Sequence, residues 1–280
     1  MHLQQQQLVS SALTCSLAAS LAYLTPVQLA AARKEWRHTG PFTADAVGSE
    51  YAGRLAADFT FAEQIQVPLQ ASATIFESVD SDELCVAFRG STGAENFKSM
   101  FALNLVPLDG NDASAKVHSG YQTASLQLYE KLMPALERRG AARVVFTGHS
   151  YGGGTATLCA LYHEPDRLLT FSAPLVGDVD FASKFDAALS GEERVVHLVH
   201  DADPVLQQNR PLWDALGYVH TGRVVRCSPD SPLLYNDDDE PGSAIAWNFA
   251  DHCRYLGTYL GPRAETIKWR RLLKPNFRPS

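Results

Sequence analysis

The sequence predicts an α/β fold, a mostly parallel central sheet flanked by helices, and three observations carry that prediction. Apolar, β-prone runs ("VVFT" at 144–147, "RLLTF" at 167–171, "RVVHLV" at 194–199) alternate with stretches of helical spacing, the pattern of βα units. The run "VVFTGHSYGGG" at 144–154 passes from a strand through a glycine-studded turn straight into an Ala-rich helix. The chain has 280 residues, 45% of them hydrophobic, enough for one large core, and neither an internal repeat nor a Gly/Ser linker divides it. Residues 1–280 are therefore read as a single domain.

Taken in order, "MHLQQQQLVSSALTCSLAASLAYLTP" reads as an amphipathic first helix of the domain, about 8–34. The alternative is a signal peptide, but no Lys or Arg precedes the apolar part and Ser and Thr interrupt it. No uninterrupted run reaches the ~20 apolar residues that span a bilayer. "ASATIFESVDSDELCVAFRG" reads as a hairpin with its turn at Asp80 to Glu83, leading to a buried strand. Residues 91–116 carry apolar patches without a sustained period and form a long connection, of the length often used for lids and binding loops. The plainer alternative is a surface excursion with one short helix. "GYQTASLQLYEKLMPALERRG" places Leu126, Tyr129, Leu132, Met133 and Leu136 at helical spacing and stops at Gly140. The last third is less regular, and its acidic "YNDDDEPG" at 235–242 reads as a solvated loop, since the oxygen spacing of a calcium loop is absent.

With 24 Lys plus Arg against 31 Asp plus Glu, the formal charge is -7, and no basic cluster with interleaved aromatics occurs, which argues against a nucleic-acid surface. Cys15, Cys85, Cys159, Cys227 and Cys253 are odd in number and form no C-x-x-C pair. They read as free thiols in a reducing compartment or as small buried hydrophobes, favouring a cytoplasmic location over secretion.

The turn at 148–152, G-H-S-Y-G, is the arrangement that holds a nucleophile above the end of a sheet. Gly148 and Gly152 leave room for the backbone to fold back, and the helix N-terminus after Ser150 adds positive potential where negative charge develops. A serine hydroxyl needs a base, and the base an orienting acid, in the order Ser, then Asp or Glu, then His. Asp201 and Asp203 both qualify at the end of "VVHLVHDADPV", and His220 and His252 both qualify as base.

The blocks "VAFRGS" at 86–91, "VHSGY" at 117–121, "VVFTGHSYGG" at 144–153, "TFSAPLVGD" at 170–178, "HDADPV" at 200–205, "GYVHTG" at 217–222 and "DHCRYLG" at 251–257 together resemble the class 3, fungal-type lipases. The resemblance spans about residues 74–257 and implies the α/β-hydrolase fold with a lid-like segment. It implies Ser150 as nucleophile, Asp201 as acid by the family's D-x-V-P block, and His252 as base. It implies one oxyanion-hole N–H from Ser91 and a second from Tyr151. It casts residues 92 to about 109 as a lid, with Phe97, Met100, Phe101, Leu103, Leu105 and Val106 covering the acyl cleft. The expected activity is hydrolysis of acylglycerol or related lipid esters through an acyl-enzyme, with no cofactor or metal, and with transient contact to a lipid interface. An esterase for short or aromatic acyl groups and a non-catalytic lipid-binding protein of the same fold are the alternatives.

The chain departs from the family at Tyr151, where Leu is commoner, at Phe97, where Trp is frequent, and in "DPVLQQ" after the acid. Other polar residues in these blocks read as structural. His149 packs or steadies the loop, His118 anchors the far end of the lid, Arg89 anchors a loop, and Asp178 and Asp251 cap or brace loops. Cys253, next to His252, lacks the elbow a thiol nucleophile needs.

Overall fold

The computed structural model describes residues 3–29, 59–68, 71–92, 103–108, 112–191, 193–200, 203, 211–230, 234–235 and 251–261. At its centre is an eight-stranded sheet in the order β1-β2-β3-β6-β7-β8-β9-β10. The strands are β1 (Phe59–Gln66), β2 (Ser72–Ser78), β3 (Glu83–Phe88), β6 (Arg143–His149), β7 (Arg167–Phe171), β8 (Val195–Val199), β9 (Arg223–Cys227) and β10 (Leu234–Tyr235). β1, β2 and β3 pair antiparallel; β3, β6, β7, β8 and β9 pair parallel; β10 returns antiparallel on β9. The expected hairpin is present, with Ala73 opposite Phe88 and Glu77 opposite Leu84. β3, β7 and β8 are buried almost throughout, as strands covered on both faces must be.

Two helical layers provide that cover. On one face lie α2 (Ser119–Glu137) and α3 (Tyr151–His163), packed with Val86, Phe88, Phe146 and Leu168. The buried stripe of α2 runs through Tyr121, Ala124, Leu128, Leu132 and Leu136, while Tyr129 sits at its margin and donates its hydroxyl to the Tyr162 carbonyl at 2.9 Å. Leu126, expected on the stripe, is only half-buried. Gly140, at φ 58°, ends the segment as the sequence suggests.

On the other face lies α1 (Leu3–Leu21). It packs Leu13, Cys15 and Ala19 against Phe171, Leu198 and Tyr255, and Leu17, Ala18 and Leu21 against Phe76, Cys85 and Ala87. The expectation of an amphipathic helix over 8–34 needs correction. The second half, from Ala12 on, is buried nearly all round because it lies across the sheet under the C-terminal turns, and the helix ends at Leu21, before Thr25 and Pro26. Residues 30–34 lie outside the described residues.

The long connection is also more ordered at its end than expected. β4 (Leu105–Leu108) pairs antiparallel with β5 (Asp112–His118), with Leu105 opposite His118 and Val106 opposite Val117. Leu103 and Leu105 pack on Leu175, Trp213 and Tyr218, and Tyr218 donates its hydroxyl to the Leu103 carbonyl at 3.1 Å. Leu103 and Leu105 thus rest on this cluster, and Leu105 and Val106 lie in the β4–β5 ladder. Phe97, Met100 and Phe101, the other residues read as lid, lie outside the described residues. α4 (Val179–Ala188) completes this side, with Asp178 as its N-cap accepting from Phe181 N at 3.0 Å and from Lys116 N at 3.1 Å.

If α1 is part of the core, Leu13→Ala should lower stability by about 2–5 kcal/mol in urea unfolding. Val27→Ala, at a position 79% exposed, should change it by less than about 0.5 kcal/mol.

Candidate active site

Three neighbouring parallel strands, β6, β7 and β8, deliver side chains to one edge of the sheet: Ser150 follows β6, Ser172 follows β7 and Asp203 follows β8. The ladder runs on into the first two of these turns. Ser150 N donates to the Phe171 carbonyl at 2.9 Å, and Ser172 N to the Leu198 carbonyl at 3.0 Å. His252 comes from a short 3₁₀ turn, Asp251–Cys253, just before β11 (Arg254–Tyr255), which pairs with β12 (Thr258–Tyr259).

The elbow needs its glycines. A Cβ on Gly148 would lie 2.5 Å from the Gly152 carbonyl oxygen, and one on Gly152 would lie 2.1 Å from that of Phe88. With that room, Ser150 turns at φ 54°, ψ -125°, a strained conformation that lifts its side chain off the strand end. Its Oγ lies 2.8 Å from His252 Nε2. The imidazole presents Nδ1 to Asp203, 3.0 Å from Oδ1 and 3.1 Å from Oδ2, and to Ser172 Oγ at 2.8 Å. Ser172 Oγ also donates to Asp203 Oδ2, as does the Tyr255 hydroxyl at 2.6 Å.

The carboxylate at His252 is thus that of Asp203, which corrects the expectation that Asp201 fills this place; Asp201 itself lies outside the described residues. The physical reason is the turn after β8. Asp203 N donates to the His200 carbonyl at 3.1 Å, which folds the chain back and seats residue 203 fully buried behind the imidazole. Burial alone would raise its pKa, but the electrostatic influence of His252 beside it and the hydrogen bonds from His252, Ser172 and Tyr255 outweigh that and hold it well below the ordinary carboxylate range.

His149 supports the same assembly from below. Its Nε2–H donates to the His252 carbonyl at 2.7 Å, which leaves Nδ1 to accept from the Tyr23 hydroxyl at 2.8 Å. Burial, reinforced by the neighbouring His252, pushes its pKa down to about 3, so it is a neutral strut, as its structural reading implies. His118 caps α2, its Nδ1 accepting from Gly120 N at 3.2 Å, and stands opposite Leu105 in the β4–β5 ladder. His220 is exposed and lies before β9. Cys253 is buried, and burial raises its thiol pKa to about 12, unsuited to a nucleophile. Tyr151 begins α3 with its ring buried 5.3 Å from that of Tyr121, and Ser91 is buried on the loop beside the elbow. Asp251's side chain and most of the acidic row at 235–242 lie outside the described residues.

A parallel sheet with a serine on a strained strand-to-helix turn, a histidine on its hydroxyl and a buried carboxylate behind the histidine is the arrangement of the serine α/β-hydrolases. Residues 85–209 match the model of the Lipase (class 3) family. The chain is 31% identical over 147 residues to secreted mono- and diacylglycerol lipase 1 of Fusarium solani, covering 50% of this chain and 42% of that protein. It is 30% identical over 205 residues to a lipase of Rhizomucor miehei, covering 65% of this chain and 54% of that one. The chain thus spans about half the length of the curated relatives it matches. Among solved structures, the Rhizomucor miehei triacylglyceride lipase superimposes with a TM-score of 0.67 at 21% identity, over 94% of this chain and 98% of that one. Lip2 lipase of Yarrowia lipolytica gives 0.63 at 18% identity, over 93% and 96%. By this match and these relatives the chain is similar to the class 3 lipases.

The leaning towards a cytoplasmic location is overturned by these relatives. One is named as secreted, and the Rhizomucor miehei lipase is also solved as a complex with its propeptide. All five cysteines are free and buried, which fits their alternative reading as small buried hydrophobes.

His149 and His197 predict how stability varies with pH. His197 is buried between the Thr170 and Thr221 hydroxyls, at 2.7 and 3.1 Å, and burial pushes its pKa down to about 3. The unfolded chain takes up these protons from about pH 6.5 downwards while the folded chain does not. Stability is therefore full above about pH 6.5 and falls as pH drops towards about 3, by about 1.4 kcal/mol per pH unit for each histidine. Melting temperatures measured between about pH 7 and pH 4 should show this fall, and His197→Gln should flatten it.

Proposed function

We propose that this protein is a secreted serine carboxylic-ester hydrolase that cleaves acylglycerols or related lipid esters through an acyl-enzyme intermediate. The single observation that carries this reading is the unbroken hydrogen-bond line from Ser150 Oγ through His252 to the buried Asp203 carboxylate. Ser150 is the nucleophile, His252 the base and Asp203 the acid that orients it.

His252 Nε2 takes the Ser150 proton as Oγ attacks the ester carbonyl carbon. The N–H groups of Ser91 and Tyr151 hold the oxyanion, Tyr151 from the first position of a helix whose dipole favours negative charge there. Protonated His252 then gives its proton to the leaving alcohol. Water, deprotonated by His252, attacks the acyl carbon and releases the acid and Ser150. Throughout, Asp203 stays ionised, stabilises the imidazolium and keeps the proton of the resting ring on Nδ1. The lipid preference is supported by the relatives, whose names specify mono- and diacylglycerols in one case and triacylglycerides in another. Among the described residues no helix is long and apolar enough to cross a membrane, so contact with lipid is proposed as peripheral.

Hydrolysis of p-nitrophenyl esters from acetate to palmitate, alongside emulsified triglyceride, tests the reading. Ser150→Ala should abolish turnover of every ester, and retained turnover rejects the mechanism. Asp203→Asn should lose about 10⁴-fold in kcat, the scale seen when the orienting acid of such a base is removed. Asp201→Asn should retain most of the rate, and the reverse ranking would return the acid role to Asp201.

A further inference from the structure

We propose that Ser172 is a positioning residue for His252, sharing with Asp203 the task of holding the imidazole; this rests on the hydrolase reading above. Two independent features of the residue point the same way.

The first is its backbone. Ser172 adopts φ 50°, a left-handed conformation that glycine takes freely and a side-chain-bearing residue takes at a cost. The ladder bond to the Leu198 carbonyl at 3.0 Å pins it there. The conformation alone would favour glycine, so what serine adds at this position is its hydroxyl.

The second is where the hydroxyl lies. It is fully buried and stands 2.8 Å from His252 Nδ1, nearer than either oxygen of Asp203 at 3.0 and 3.1 Å. Its own proton goes to Asp203 Oδ2, so towards His252 it can only accept. Imidazole, hydroxyl and carboxylate therefore close a three-membered ring of hydrogen bonds. That ring admits only the tautomer with the proton on Nδ1, which leaves Nε2 bare to receive the Ser150 proton. It also fixes the carboxylate, because Oδ2 is occupied by Ser172 and Tyr255 while Oδ1 faces the imidazole. Ser172 does not meet the reacting atoms. It acts on them through His252.

The test is Ser172→Gly, which keeps the backbone conformation and removes the hydroxyl. The variant should fold, relief of the strained φ offsetting part of what the buried Asp203 carboxylate loses with this donor, and rates are compared at a temperature where both proteins are fully folded. Its kcat on p-nitrophenyl butyrate should fall roughly 10- to 100-fold with KM unchanged, the scale of one lost hydrogen bond to a charged group. The rate of Ser150 inactivation by a serine-reactive phosphonate should fall in parallel. The low-field proton NMR resonance of His252 Nδ1–H should shift or broaden into exchange with solvent. Unchanged kcat together with an unchanged resonance overturns the proposal, as does a loss of activity explained wholly by a lower melting temperature. If the parent protein turns over no ester, the hydrolase reading fails on its own. The Nδ1–H resonance then still decides Ser172: a shift in Ser172→Gly upholds its hold on His252, and no shift rejects it.

Discussion

The Asp203 carboxylate is a charge with no access to water, and much of the molecule's arrangement follows from satisfying it. Burying an ionised carboxylate costs several kcal/mol unless its lone pairs meet donors of good geometry. Here the donors come from three other places in the chain: Nδ1–H of His252, the hydroxyl of Ser172 at the end of β7, and the hydroxyl of Tyr255 in β11. Burial, followed by the charge of Asp203, raises the Tyr255 pKa, so that hydroxyl keeps its proton and remains a donor. The C-terminal turn that carries His252 is drawn against the sheet edge because the carboxylate needs partners there. The catalytic geometry and the solution to a buried charge are the same contacts.

The parallel ladder supplies the precision. On β6 and β7 the last ladder bond is made by a serine N–H, and each of those serines then leaves the sheet at positive φ, 54° for Ser150 and 50° for Ser172. The same local device on adjacent strands lifts two hydroxyls over one edge. They meet the two nitrogens of a single imidazole, Ser150 at Nε2 and Ser172 at Nδ1, both at 2.8 Å. What separates their roles is the third partner. Ser172 is tied to a carboxylate and is spent on orientation, whereas Ser150 has its hydroxyl turned to the base.

The sheet, the flanking helices and the elbow were legible in the sequence because each has a local cause: β-prone runs, helical spacing, and glycines where a Cβ collides. The acid was harder. Asp201 and Asp203 differ by two residues and share a strand facing, so periodicity cannot part them. A finer use of the D-x-V pattern separates them, since Val205 stands two residues after Asp203, while Asp203 itself stands two after Asp201. Ser172 could not be found from pattern alone, because its importance lies in a positive φ and in contacts 31 and 80 residues distant along the chain. The near all-round burial of the second half of α1 was likewise hidden, since its serines read as a polar face until their partners are known. Ser16 Oγ meets Thr258 Oγ at 3.1 Å, and Ser20 Oγ donates to the Tyr259 carbonyl at 2.8 Å, both from the other end of the chain.

Those contacts make α1 more than a cover for the sheet. Just beyond its last turn, Tyr23 places its hydroxyl on His149, and His149 holds the carbonyl of His252. The same hydroxyl lies against Gly90, where an added Cβ would come within 1.9 Å of it, and takes a hydrogen bond from that residue's backbone. One phenol therefore ties together the loop that leads to Ser91, the residue before Ser150, and the backbone of the base. A neutral His149 suits this task better than a charged one, because a carbonyl on one side and a hydroxyl on the other ask for one donor and one acceptor. Its burial enforces that neutrality. The N-terminal segment thus reaches the chemistry through two hydrogen bonds, and the spacing between oxyanion loop, elbow and base depends on a helix that touches none of the reacting atoms.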